Sequence, residues 1–331
     1  MMKQVSLIVI FLTLFACKKE YQPENKIKED VSFLADDKLE GRGTGTEGER
    51  IAADYIADRF KSLDLKGKGT DGYFQDFTFT PKKDPHSEVK YSEESTDSTI
   101  TGRNILGYLD NNAEKTIIIG AHYDHLGYGE QGGSLYRGED KLIHNGADDN
   151  ASGVAVMLNL ASKLKESNKS NNYLFMAFSG EEMGLLGSNY FVKNTTLPVE
   201  SINYMMNLDM VGRLKADSTL AVYGTGTSPI FKQTITANND VFKIVEHESG
   251  VGPSDHTSFY LNDIPVLHFF TGQHEDYHKP SDDSDKLNYE GMEMISNYIY
   301  TIITDLDDNG ELAFKKTKSE TEDTPRFKVT L

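Results

Sequence analysis

Residues 172–188 read NYLFMAFSGEEMGLLGS: an apolar run stops at Ser179-Gly180, and two adjacent carboxylates, Glu181 and Glu182, open a glycine-rich turn. A short apolar run bounded by turn residues reads as a buried strand. Two unit charges about 4 Å apart repel by roughly 4 kcal/mol at an effective dielectric near 20. The glutamates are therefore either a solvated pair in a glycine turn or a pair held against cations.

The pattern repeats outward from this stretch. TIIIGAH (116–122) precedes the helical SGVAVMLNLASKLKES (152–167), GSNYFVKN (187–194) follows the glutamates, and INYMMNLDM (202–210) and IPVLHFF (264–270) are further apolar runs. Alternation of this kind predicts an α/β fold with a mostly parallel, mixed central sheet flanked by helices on both faces. On the N-terminal side, Thr46 with Glu49 three residues later forms a capping signature, and Ile51, Tyr55, Ile56, Phe60 and Leu63 follow at helical spacing. YFQDFTFT (73–80) and NILGYL (104–109) read as strands, separated by a polar stretch, 82–98, that reads as an exposed loop. A last helix is expected over 289–306, with Tyr289, Met292, Ile295, Ile299 and Ile302 on one face.

Of the 331 residues, 52 are acidic and 34 basic, for a net charge of -18. Such a balance disfavours nucleic acid as a partner, because phosphate contacts need clustered Lys and Arg. Lys3 followed by the apolar run Val5–Phe15 is too short to span a bilayer and is shaped like an export signal. Cys17 is the single cysteine, so no disulfide within the chain is possible. The sequence LFAC resembles a bacterial lipobox, which implies lipidation of Cys17 and a membrane anchor in the bacterial cell envelope, on the periplasmic or outer-membrane face. A plain signal peptide with a cysteine nearby is the competing reading. The expected organisation is a signal at 1–16, a polar tether at 17–26, one catalytic domain at 27–314 and a polar tail at 315–331.

Ligands of open α/β sheets bind outside the carboxyl ends of the strands. Those ends carry His122 and Asp124, Glu181 and Glu182, Asp209 and His278, and Asp148 and Asp149 stand just before a helix. Two histidines and three carboxylates suit two zinc ions sharing one carboxylate. Spacing alone leaves either aspartate of the pair 148–149 as the bridge.

HYDHLG (122–127), NGADDNASG (145–153), SGEEMGLLGS (179–188), NLDMVGR (207–213) and YHKPSDD (277–283) resemble, in this order, the motifs of the co-catalytic di-zinc aminopeptidases. That family includes secreted bacterial leucyl aminopeptidases and the peptidase domain of glutamate carboxypeptidase II. The likeness covers roughly Leu34 to Leu306 and implies a zinc exopeptidase fold acting on peptides. It further implies that His122 and Asp209 hold one zinc, that Glu182 and His278 hold the other, and that Asp149 bridges them. Glu181 would be the general base. Asp124, two residues after His122, would hydrogen-bond that imidazole, and Asp282 would do the same for His278. Tyr277 and His256 are candidates for oxyanion or substrate contact, because the tyrosine some relatives carry before the segment matching SDH is not found in SGVGPSDH (249–256).

His274-Glu275-Asp276-Tyr277-His278 also matches H-E-x-x-H, a one-zinc motif that requires a helix. Gly272 and Pro280 flank it and no apolar face runs through it, which argues against a helix. His125, His144 and His274 stand beside the expected ligands with their roles open. Two other functions compete: a glutaminyl-peptide cyclotransferase, which works with one zinc and a tryptophan-lined pocket, and a non-catalytic binding protein such as nicastrin or the transferrin receptor. This chain has no Trp, and its ligand positions and base are all filled.

Overall fold

Every residue of Thr116–His122, Asn172–Phe178 and Ile202–Leu208 is buried. Continuous apolar runs of this kind belong to strands covered on both faces. The computed structural model describes residues 23–81, 89–167 and 170–318. Its strands are β1 (Lys66–Gly67), β2 (Phe74–Thr80), β3 (Lys90–Ser92), β4 (Ile100–Leu109), β5 (Thr116–His122), β6 (Asn172–Phe178), β7 (Ile202–Leu208), β8 (Thr219–Tyr223), β9 (Lys243–His247) and β10 (Val266–Phe270). The helices are α1 (Pro23–Leu34), α2 (Glu47–Ser62), α3 (Gly153–Ser167), α4 (Leu186–Lys193), α5 (Phe231–Ala237), α6 (His256–Tyr260) and α7 (Tyr289–Leu306).

One sheet runs in the order β3-β2-β4-β6-β5-β7-β10-β8-β9, with β1 added on β4. Its centre, β6-β5-β7-β10, is parallel, while β4 and β8 join it antiparallel. The mixed, centrally parallel sheet expected from the sequence is therefore present. Alternate side chains separate two cores. Ile117, Ile119, Phe175 and Met206 face the layer that includes α2, α3 and α7. Ile118, Leu174, Met176 and Met205 face Phe191 of α4 and Phe259 of α6.

Local signals behaved as their chemistry requires. Thr46 Oγ1 accepts from Glu49 N at 3.3 Å and caps α2. The helix rolls toward its small residues, however: Ala52, Ala53, Ile56, Ala57 and Phe60 are buried, while Ile51 is 37% exposed. The reason is close approach to the sheet, since a Cβ at Gly107 would stand 2.6 Å from the Phe60 ring. Met292, Ile295, Ile299 and Ile302 of α7 are fully buried.

Several boundaries differ from expectation. The helix α1 starts at Pro23, inside the stretch read as tether, and its side chains Ile27, Val31 and Leu34 join the core. β3 lies inside the expected loop, because Tyr91 donates its hydroxyl to Leu186 O and packs in an aromatic cluster with Phe77 and Tyr190. The tail is held through its first residues, with Lys315 N donating to Thr227 O and Thr317 bonded to Tyr260 and Gly250. The export signal, Cys17 and residues 319–331 lie outside the described residues.

Candidate metal centre

The strand ends deliver the polar side chains. His122 is the last residue of β5 and Asp209 follows β7. After β6 the chain turns at Gly180, φ +70, a conformation that favours glycine, and Leu186 and Gly187 donate back to the carbonyls of Gly180 and Ser179. This closed turn presents Glu181 and Glu182 over the sheet edge. Asp149 comes from the loop before α3, and His278 from the irregular stretch after β10. The segment 274–278 is a turn rather than a helix, so H-E-x-x-H does not form a one-zinc site.

The side chains converge in two sets. His122 Nε2 lies 3.3 Å from both Asp149 Oδ1 and Asp209 Oδ1. His278 Nε2 lies 3.2 Å from Asp149 Oδ2 and 3.3 Å from Glu182 Oε2. The two oxygens of Asp149 are thus divided between the sets. Each imidazole has its other nitrogen engaged, His122 Nδ1 with Asp124 O at 3.2 Å and His278 Nδ1 with Gly133 O at 2.8 Å. A carbonyl only accepts, so those nitrogens carry a proton, and both Nε2 atoms are turned toward carboxylate oxygens, the orientation in which a neutral imidazole would bind a metal. Such an arrangement needs positive charge, a proton on each Nε2 or a metal ion between the groups; although burial opposes it, the surrounding carboxylates raise both imidazoles above their ordinary range. Ligand atoms about 2.0–2.1 Å from a tetrahedral zinc lie about 3.3 Å apart, which the separations match. The residues present fit a pair of zinc ions.

Proximity alone groups the residues otherwise, as His122 with Glu181 and Asp209 and as His125 with Asp149 and Glu182, each set within 4.8 Å. The contact length sets His125 apart from the other imidazoles. His125 Nδ1 is 2.7 Å from Glu182 Oε1, a hydrogen-bond distance and shorter than a ligand edge.

Asp148 is fully used elsewhere. Its carboxylate accepts from Gly212 N and meets His274 Nε2 at 3.1 Å, so Asp149 alone of the pair faces His122 and His278. Asp282 does not reach His278 as expected. Its Oδ2 accepts from Asp148 N and Asp149 N at 2.9 and 3.1 Å, because the nearer donors are the backbone of that loop. Asn150 ties the same loop to β7 by donating to Leu208 O and accepting from Met210 N. Asp124 offers His122 its carbonyl; its carboxylate is 3.8 Å away and instead accepts from Thr44 Oγ1 and Glu181 N.

Glu181 is partly open to solvent, and no side chain among the described residues hydrogen-bonds its carboxylate. Burial raises its carboxyl well above the usual range; nearby Asp209, Asp255 and Glu182 add to this and His122 opposes it. Tyr277 stacks on His278 with centroids 3.8 Å apart, and its phenol is pushed up by burial and by Asp149 and Glu182. His256 is fully buried and stacked on His268 at 4.4 Å, which places it in the core rather than against substrate.

Sequence reading missed Asp255 and Arg42. Asp255 is fully buried, and burial raises it to about 7; only its place beside the flagged His256 could have pointed to it. Arg42 is fully buried and donates to the carbonyls of Leu34, Tyr123, Asn145 and Gly146. Its signal was the segment LEGR within an otherwise small-residue run.

Comparison with known proteins bears on the family and the fold. The model of peptidase family M28 matches residues 104–303. A probable leucine aminopeptidase of Trichophyton verrucosum is 32% identical over 178 residues, covering 49% of this chain and 44% of that protein. The first curated relatives are matched over only 44%, 41% and 43% of their own length. Among solved structures, a zinc aminopeptidase from Bacillus subtilis superposes with a TM-score of 0.67 at 17% identity, covering 89% of this chain and 96% of that one. A glutaminyl cyclase from Bacteroides thetaiotaomicron superposes with 0.66 at 17% identity, covering 85% and 97%. At such identities the structures establish the fold alone.

Proposed function

The chain belongs to peptidase family M28, and from that premise we propose that it is a zinc-dependent exopeptidase, an aminopeptidase that removes N-terminal residues from peptides. The observation that carries this reading is the divided carboxylate of Asp149, one oxygen toward His122 and Asp209 and the other toward His278 and Glu182. Two zinc ions held there would polarise a peptide carbonyl and bring the pKa of a shared water toward neutrality.

The chain's own residues do the rest. Glu181, whose carboxylate has no hydrogen-bonding side chain among the described residues, takes the proton of the attacking water and passes it to the leaving amine nitrogen. Asp124 fixes that glutamate by accepting its backbone N–H at 3.1 Å. Tyr277 offers a phenol to the oxyanion from above His278.

Metal analysis of the purified protein, with hydrolysis of an amino-acid p-nitroanilide panel, tests the proposal. Two zinc ions per chain are expected, and Glu181→Ala should keep them while losing about 100- to 10,000-fold in kcat. Full activity in Glu181→Ala overturns the assignment of the base. Bound zinc without hydrolysis of any N-terminally free substrate overturns the aminopeptidase reading. The close match in fold to a glutaminyl cyclase supports a second reading; formation of pyroglutamate from a glutaminyl peptide distinguishes it.

Export and lipid anchoring at Cys17, in the bacterial cell envelope, are proposed from the sequence pattern alone. Fatty-acid labelling that persists in Cys17→Ser would exclude the anchor.

A further inference from the structure

A third imidazole stands inside the centre without a ligand's geometry. The His125 side chain is fully buried, with its ring edge-on to His278 at 5.8 Å. Its Nδ1 is 2.7 Å from Glu182 Oε1 and 4.0 Å from Asp149 Oδ2. Glu182 thereby divides its oxygens: Oε1 meets His125, and Oε2 lies 3.3 Å from His278 Nε2.

The niche that holds this ring is built for it. His125 N donates to Arg42 O at 3.2 Å. The ring lies against Gly146, where a Cβ would stand 2.5 Å from its atoms and where φ is +53. The Arg42 guanidinium holds the Asn145 and Gly146 carbonyls at 2.7 and 3.0 Å, so the wall behind the ring is fixed. His125 Nε2 is buried with no partner among the described residues. A proton there would be an unpaired buried donor, so the proton sits on Nδ1.

We propose that His125 is a positioning residue for the metal centre: by donating Nδ1–H to Glu182 Oε1 it reserves that oxygen and leaves Oε2 as the one atom Glu182 offers a metal. A carboxylate with both oxygens free can swing between one-point and two-point coordination. With one oxygen held, it presents a fixed ligand beside His278 Nε2. This inference rests on the metal-centre reading above. Partners that orient ligating groups typically contribute 10- to 100-fold in metal affinity.

The test is zinc retention by the full chain against rising concentrations of a chelator, read as zinc per chain. His125→Phe keeps a ring without a donor, and His125→Asn keeps a donor near the Nδ1 position. The wild type should hold two zinc ions; His125→Phe should release one of them at 10- to 100-fold lower chelator, and His125→Asn should stay close to wild type. Cobalt-loaded His125→Phe should also show an altered visible spectrum, because the carboxylate regains its second oxygen. If His125→Phe does not fold, His125→Leu is read in the same way, with thermal melting of the metal-free chains as the control. A His125→Phe curve that superposes on wild type overturns the inference. So does a His125→Asn curve that falls with His125→Phe, which would make the imidazole itself a ligand or a packing element. Wild type that binds no zinc overturns the metal-centre reading and this inference together; wild type that binds two, with coincident curves, overturns this inference alone.

Discussion

The two histidines of the centre are held in different ways. His122 ends a strand in which every residue is buried, its side chain is 1% exposed, and it is paired with Phe178 of the neighbouring β6. His278 stands in an irregular stretch with φ +55, its side chain is 13% exposed, and its ring is held by the carbonyl of Gly133 from another loop. Packing of apolar strands places the backbone of the first residue, and buried polar groups such as Asp124 and Glu49 complete its surroundings. The loops around both histidines depend on buried polar groups: the Arg42 guanidinium on four carbonyls, that of Tyr123 beside His122 among them, Asp282 on two backbone N–H groups of the Asp149 loop and Asn150 on both sides of Asp209. The lesson is that the strands set the backbone of the site, while buried polar chemistry collects in the loops that follow them, on both sides of the centre.

The contrast breaks first at Arg42. Arg42→Met leaves buried carbonyls without donors, so roughly 3 to 5 kcal/mol of stability should be lost. Urea unfolding of the metal-free chain measures it, and a loss below about 1 kcal/mol would show that the loop side stands by itself.

Glu49 sharpens the comparison from the strand side, because it serves the end of β6. It accepts from Gly45 N at 2.6 Å and from the Ser179 hydroxyl, and burial raises its carboxyl to about 8. The folded state therefore binds the proton more tightly than the unfolded state, whose value is near 4.5. This contribution is fully present below about pH 4.5 and is lost as pH rises through about 8, with a slope of at most about 1.4 kcal/mol per unit. Unfolding free energies at pH 5 and 7.5 should differ less in Glu49→Gln than in wild type; equal slopes would place the titration elsewhere.

Asp282→Ala is the mildest break. It leaves two N–H groups of the Asp149 loop unpaired, for an expected loss of about 1 to 3 kcal/mol, with earlier zinc release in the chelator series. A chain that loses stability but keeps its zinc curve would separate the loop's folding from its role in holding metal.

How far the sequence could be read follows the same division. β5, β7 and the full extent of α7 were legible because their apolar residues repeat at strand or helix period. β8 and β9 were not: they are short, half-exposed and end the sheet, so their burial pattern carries little signal. The expectation of Asp282 on His278 came from spacing along the chain. A hydrogen bond is settled by the nearest donor in space, and here that donor is the Asp148–Asp149 backbone.

By itself the sequence determined the α/β class, the strands that carry His122, Glu181, Glu182 and Asp209, and the family resemblance of the motifs. Periodicity and strand ends are local properties, and they survive in a linear reading. The resemblance had pointed to Asp149; tertiary structure alone decided how its two oxygens divide between His122 and His278, which oxygen of Glu182 meets His125 and which meets His278, and that Arg42 and His125 lie beside the site. Those outcomes depend on the direction of single atoms brought together from distant loops, and nothing in the order of residues encodes that direction before the sheet has formed.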